Sequence, residues 1–225
     1  AKQENYNFQN ANRFYKYIDD RIRGTYVKEG KAQNQIVLFD MYVRFLRWAS
    51  DRIDKNGIIA FVSNNSFIDA LTFDGFRKCI ADEFSEIYII NLKGNARTSG
   101  ERRRKEGGNV FTDEIRVGVA VYFIIKKEKS DGFKVYYNAI DDYVKSPQKK
   151  SYLTDNKLSD LPFECITPKK NNWINLTDND FDTLLPLMDK RVKSKKDGEA
   201  IFKLFSNGIK SQRDDWVYDI SEDSL

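Results

Sequence analysis

Three short, unbroken apolar runs constrain this chain more than any other feature: Ile58-Ile59-Ala60-Phe61-Val62, Ile87-Tyr88-Ile89-Ile90, and the stretch from Val117 to Ile125. Continuous rather than alternating hydrophobicity marks strands covered on both faces, as in the parallel sheets of α/β proteins. Ahead of the first run, Gly57 to Ser63, residues 33–54 repeat Phe39, Val43, Leu46, Ala49 and Ile53 at helical spacing, and Asn56-Gly57 stops that helix. Between the first and second runs, Asn65 or Ser66 caps a second helix at about 66–84, with Phe67, Leu71, Phe76, Ile80 and Phe84 inward. No helix-length apolar pattern separates the second run from the third. A right-handed crossover needs a covering helix, so these two strands are expected to pair antiparallel. Phe133 to Ala139 reads as one more strand or an edge. The order predicts an α/β sheet.

The flanks are less regular. Residues 1–32 are polar and tyrosine-rich, and the opening Ala-Lys-Gln-Glu-Asn without an initiator Met reads as cut from something longer. After about 145 the texture changes. Lys145-Ser146-Pro147-Gln148-Lys149-Lys150 is linker-like, a short helix disturbed by Pro186 is expected at about 178–190, and Lys190 to Lys196 is a basic run.

Composition narrows the chemistry. The chain has 225 residues and no histidine. Ser-His-Asp and Cys-His hydrolysis and histidine-ligated zinc are thereby removed, and two distant cysteines, Cys79 and Cys165, cannot close a tetrahedral metal site. No metal is expected. The cysteine usage predicts a reduced, cytoplasmic setting, and no apolar run reaches bilayer-spanning length, so no membrane partner is expected. The net charge of +4 fits a nucleic-acid partner without establishing one.

Four stretches carry candidate chemistry. Residues 94–110 form a glycine-rich loop with Arg97 and the run Arg102-Arg103-Arg104-Lys105. Such a loop between buried strands suits phosphate contacts, or is a solvated charged loop in which Glu101 and Glu106 offset the cations. It holds neither a P-loop nor Gly-x-Gly-x-x-Gly. Phe111, at the junction with the third strand, either stacks on a base or packs into the core as most phenylalanines do. Ser63-Asn64-Asn65-Ser66 stand where open α/β sheets bind ligands, or cap the following helix. Lys210 and Arg213 either touch DNA backbone or pair with Asp214 and Asp215. Asp40, Asp69 and Asp74 read as surface or capping groups.

Taken together, the segments Gln35–Tyr42 through Asn56–Phe67, Gly107-Gly108-Asn109-Val110-Phe111 with Val117–Phe123, and Asn207-Gly208-Ile209 with Arg213–Tyr218 resemble the γ-type amino-group DNA methyltransferases. The resemblance is strongest to the methylase portion of single-polypeptide (type ISP) restriction-modification enzymes. It implies the C-terminal half of a Rossmann-like, S-adenosylmethionine-dependent sheet, of which this chain supplies the fifth, sixth and seventh strands, the last pair antiparallel. It further implies methyl transfer to the N6 amino group of a flipped adenine, a geometry required because that group is paired inside the duplex. By position Phe111 is similar to the aromatic that stacks on the extruded base, with Arg97, Arg102, Arg103, Arg104, Lys105, Lys210 and Arg213 as DNA contacts. The family's Asn/Asp-Pro-Pro-Tyr/Phe motif and its glycine-containing cofactor motif are absent and would precede Ala1, so no catalytic residue is expected here. The isolated chain should neither bind S-adenosylmethionine nor methylate DNA, and its fifth strand should show an open edge.

The domains implied are a partial methyltransferase domain at 1–145, a linker or helical spacer at 146–200, and the start of a target-recognition region at 201–225. The partners implied are double-stranded DNA and the remainder of the same polypeptide, with room for an ATPase and a nuclease. Two alternatives are a noncatalytic DNA-binding or specificity module on the same scaffold and a methyltransferase of RNA or protein.

Overall fold

In the computed structural model the apolar runs become strands of one mixed sheet. The structure describes residues 14–32, 34–112, 114–174, 184–189, 192–193 and 198–205. Its strands are β1 (Gly57–Asn64), β2 (Glu86–Asn91), β3 (Val119–Lys126), β4 (Lys134–Ala139) and β5 (Glu164–Ile166), in the spatial order β1-β3-β2-β4-β5. β3 is antiparallel to both β1 and β2, β4 is parallel to β2, and β5 is antiparallel to β4. The expected antiparallel pairing of the second and third runs is present. β1, β2 and β4 therefore run the same way, with β3 reversed between the first two. The stretch 133–139 is not an edge, because β5 covers its outer side.

β1 is not covered on both faces. It is the sheet's edge, with Ile58 64% and Val62 52% exposed. Its inward residue Ile59 is buried in the main core, and Phe61 packs partly buried against it. A continuous apolar run does not distinguish a central strand from an edge whose outer face meets another surface.

The helices are shorter than their apolar spacing predicts. α1 (Lys16–Ile22) and a π-helical turn (Arg23–Val27) arise in the polar, tyrosine-rich segment, burying Ile22 and Tyr26. The expected helix 33–54 is a 3-10 turn at Ile36–Phe39, an extended Asp40, and α2 (Met41–Ser50), which stops ahead of Asn56-Gly57. The expected helix 66–84 is likewise divided, into 3-10 turns at Asn65–Phe67 and Leu71–Phe73 and then α3 (Asp74–Glu83). Asn64, not Asn65 or Ser66, supplies the cap, its side chain accepting from the Ser66 amide. Leu71 is 74% exposed rather than inward.

Where α3 starts, the chain is tied to a segment far along the sequence. Asp74 is buried, not a surface group, and its carboxylate accepts from the Lys31 amide (2.7 Å) and the Gly75 amide (2.7 Å). A Cβ on Gly75 would stand 2.1 Å from the Tyr26 carbonyl oxygen. Only glycine lets the start of α3 lie against the turn that follows α1.

One sheet face packs on α1, α2 and α3 through Ile59, Ile87, Ile89, Tyr122 and Ile124, joined by Phe67, Phe76 and Trp173. The other carries a smaller cluster of Ile90, Leu92, Val110, Val119 and Ile140, with Tyr152, Leu153 and Phe163 against it. Tyr152 and Leu153 belong to α5 (Ser146–Asp155), so the expected linker at 145–150 is instead the start of a helix. Charge made that segment look solvated, yet Lys149 is fully buried. The chain divides into two compact units, Ala1–Leu176 and Thr177–Leu225, the first extending past residue 145. In the second, 184–189 is not helical, and Met188 forms a bridge with Phe202. The rest of the expected helix at 178–190 lies outside the described residues. No helix among the described residues is long and apolar enough to cross a membrane.

Candidate nucleic-acid interface

The carboxyl ends of β1, β2 and β4 meet the amino end of β3 at one end of the sheet, where Asn64 pairs with Val119, Asn91 with Ala120 and with Ala139. Polar side chains tie this end together. Asn65 Nδ2 donates to Asn91 Oδ1 (3.0 Å), Asn91 Nδ2 donates to the Tyr137 hydroxyl (2.9 Å), and the Lys93 amide donates to Asn91 Oδ1 (3.0 Å). A Cβ on Gly118 would come within 2.4 Å of Asn65 Nδ2, so this row closes only over a glycine. Beside it opens a cavity of about 570 Å³ whose lining includes Asp40, Tyr42, Ser63, Asn64, Thr72 and Arg97. The Ser63–Ser66 segment thus borders a cavity, as strand ends in open α/β sheets do.

The loop from Leu92 to Gly118 crosses the same end. It is not structureless, because Gly100–Lys105 forms the short helix α4. Arg102, Arg103, Arg104 and Lys105 occupy its last turn, where the helix dipole favours cations, and all four are exposed. Arg104 pairs with Glu101 (2.6 Å) and Lys105 with Asp142 (3.3 Å), while Arg102 and Arg103 make no ion pair among the described residues. Lys93 beside Asp142 holds that carboxyl below its ordinary value. Arg103 and Arg104 share a second groove of about 480 Å³ with Asn109, Lys145 and Ser146. Arg97 lines the first cavity instead, so the loop's cations serve two different concavities.

Phe111 is 52% exposed and lines neither cavity. Among the described residues the ring is therefore not packed into the core. The backbone beneath the ring is fixed while the ring is not. Asn109 is buried, its Nδ2 donating to the Val117 carbonyl (2.9 Å) and its Oδ1 accepting from the Phe111 amide (3.0 Å). Val110 sits in the smaller core, and its carbonyl accepts from Ser146 Oγ (2.9 Å).

The group that sequence reading missed is Lys149. Its ammonium donates to the carbonyls of Leu92 (2.7 Å), Glu106 (2.8 Å) and Gly108 (2.7 Å), which uses all three of its hydrogens. Burial pulls its pKa down to about 8, opposed by Glu106, and the side chain stays protonated at neutral pH. One available signal was Ser146-Pro147, a proline in the first helical turn, which marks a helix start. Lys210 and Arg213 lie outside the described residues.

No family profile matches the chain, and no curated protein does. Solved structures do match, and three of them were determined with DNA or a DNA mimic, two of these being type ISP restriction-modification enzymes. The chain is 50% identical to DrdV in a cryoEM DNA complex, over 99% of this chain and 22% of that one, with a TM-score of 0.84. It is 36% identical to a nuclease-deletion mutant of the type ISP enzyme LlaGI in complex with a DNA substrate mimic, over 92% of this chain and 19% of that one, at TM-score 0.81. It is 34% identical to LlaBIII, an ATP-dependent type ISP enzyme bound to DNA, over 99% of this chain and 15% of that one, at TM-score 0.81. The chain thus spans about a fifth or less of the length of the structures it matches.

Proposed function

We propose that this chain is part of a site-specific DNA methyltransferase that transfers a methyl group from S-adenosylmethionine to the N6 amino group of adenine, within a restriction-modification polypeptide. The observation that carries the reading is the end of the sheet, where an exposed Phe111 on a fixed backbone and a basic α4 project from the loop joining an antiparallel strand pair. Similarity along nearly the whole chain to enzymes solved on DNA supports it. Phe111 would stack on the extruded base. Arg97, Arg102, Arg103, Arg104 and Lys105 would contact phosphates, and Lys210 and Arg213 would extend the contact. Half-exposed aromatics and unpaired arginines are the groups that gain most from a base face and a phosphate.

The described residues would not hold the cofactor by themselves. The glycine that follows β2, Gly94, has its free space filled by the chain itself, because a Cβ there would meet the Gly108 carbonyl oxygen at 2.8 Å. S-adenosylmethionine, which supplies an electrophilic methyl group, would be held mainly by residues ahead of Ala1, along with the catalytic motif. The domain reading, with 201–225 opening a recognition region, belongs to the same proposal.

The test is methyl incorporation by the complete polypeptide with radiolabelled S-adenosylmethionine and duplex DNA. Label in N6-methyladenine is expected. Label in cytosine, RNA or protein only would overturn the reading, and DNA binding without any methyl transfer would favour a noncatalytic specificity module.

A further inference from the structure

Helix α5 does more than cover the smaller core. Lys149 binds two points of the loop, Leu92 where the chain leaves β2 and Glu106 with Gly108 just after α4. One turn earlier, Ser146 holds the Val110 carbonyl. These two side chains therefore bracket Asn109, which itself grips the Phe111 amide. Gly107 completes the seat. Its φ of +69° belongs to the left-handed region, and a Cβ there would lie 2.0 Å from the Val144 carbonyl oxygen, just ahead of α5. The Tyr143 amide also donates to the Lys105 carbonyl (2.9 Å). The main chain before the ring is thus fastened by 143–149, while the ring itself stays half exposed.

We infer that Lys149 is a positioning residue for base capture: its three-carbonyl clamp sets the backbone from which Phe111 meets the unstacked base. The inference rests on the function proposed above and adds a residue that touches neither DNA nor cofactor. A buried ammonium with three main-chain acceptors suits this task because each acceptor fixes a different point of the loop, and an apolar side chain of equal length would fix none.

The experiment uses the complete polypeptide with Lys149→Met, Phe111→Ala and the double variant. It reads single-turnover methylation of paired and mismatched adenine, DNA affinity, and 2-aminopurine fluorescence at the target position. Lys149→Met is expected to slow methylation of the paired target by about tenfold or more, the scale of one lost stacking contact. The mismatched target should recover most of that loss, DNA affinity should hold within about threefold because the α4 cations remain, and the 2-aminopurine signal of the flipped base should fall. The double variant should be no slower than the slower single variant, since both remove one event. Ser146→Ala, a milder change, should move every readout in the same direction by a smaller factor, which covers the case in which Lys149→Met does not fold. Unchanged methylation in folded Lys149→Met and Ser146→Ala, or losses that multiply with Phe111→Ala, would overturn the inference alone. A parent enzyme that methylates no adenine would overturn the function and this inference with it.

Discussion

Replacing Phe111 with alanine separates recognition from stability, and the structure sets both magnitudes. The ring is 52% exposed, and the contacts that order its backbone come from Asn109, Val110 and Ser146 rather than from the ring. A fully buried phenylalanine contributes about 1.5–3 kcal/mol, so removing a half-buried ring should cost about 1 kcal/mol. For a chain of this size that shifts Tm by about 2–4 °C. Losing a stacked base costs about 1–3 kcal/mol, equivalent to about 5- to 150-fold in rate. The assay is single-turnover methylation by the complete polypeptide, since product release can mask chemistry in kcat. A paired target should show the full loss. A mismatched target, whose extrusion costs a few kcal/mol less, should show a smaller one. Parent-like rates on the paired duplex would refute the reasoning, and so would equal losses on both targets.

Three further outcomes are expected. Neutralising Arg102, Arg103 and Arg104 to glutamine should lower the slope of log affinity against log salt by about 2 rather than 3 phosphate contacts at ~0.9 each, because Arg104 is already engaged with Glu101 at 2.6 Å; an unchanged slope would place the DNA elsewhere. Arg47→Met should destabilise by about 3–5 kcal/mol in urea unfolding, because Arg47 is buried and bridges Glu83 (2.7 Å) and Asp51 (2.7 Å), whereas exposed Arg23→Met should stay within about 1 kcal/mol. At pH 8 a thiol reagent should label the exposed Cys165 quickly and Cys79 only after unfolding, since burial pushes the Cys79 thiol up to about 12 and leaves it without thiolate; two fast thiols would contradict the core placement of α3.

Legibility followed the range of the interaction. The antiparallel relation of β2 and β3 could be read from the lack of a helix-length apolar pattern between them, because a parallel crossover needs a helix that covers the sheet. Phe111 could be singled out but not resolved, since an aromatic at a strand junction fits core and cleft equally well until its exposure is known. The open edge at β1 was expected from the resemblance, but its burial on both faces was misread, because continuous hydrophobicity reports contact with apolar surface, not which surface. Helix 66–84 was overextended because apolar spacing continues through Leu71, while the breaks are imposed by Asp74, which holds the distant Lys31 amide.

The amino-acid order alone determined the three apolar strands, the reversal of β3, the exclusion of histidine chemistry and the loop with its cations, because each depends on residue type or on spacing of neighbours along the chain. Only the tertiary structure decided which lysine is a clamp and which are solvated. Lys149 and Lys150 are adjacent and chemically identical, yet one is buried on three carbonyls and the other is exposed. Those carbonyls come from residues more than forty positions earlier, and main-chain oxygens leave no trace in side-chain pattern.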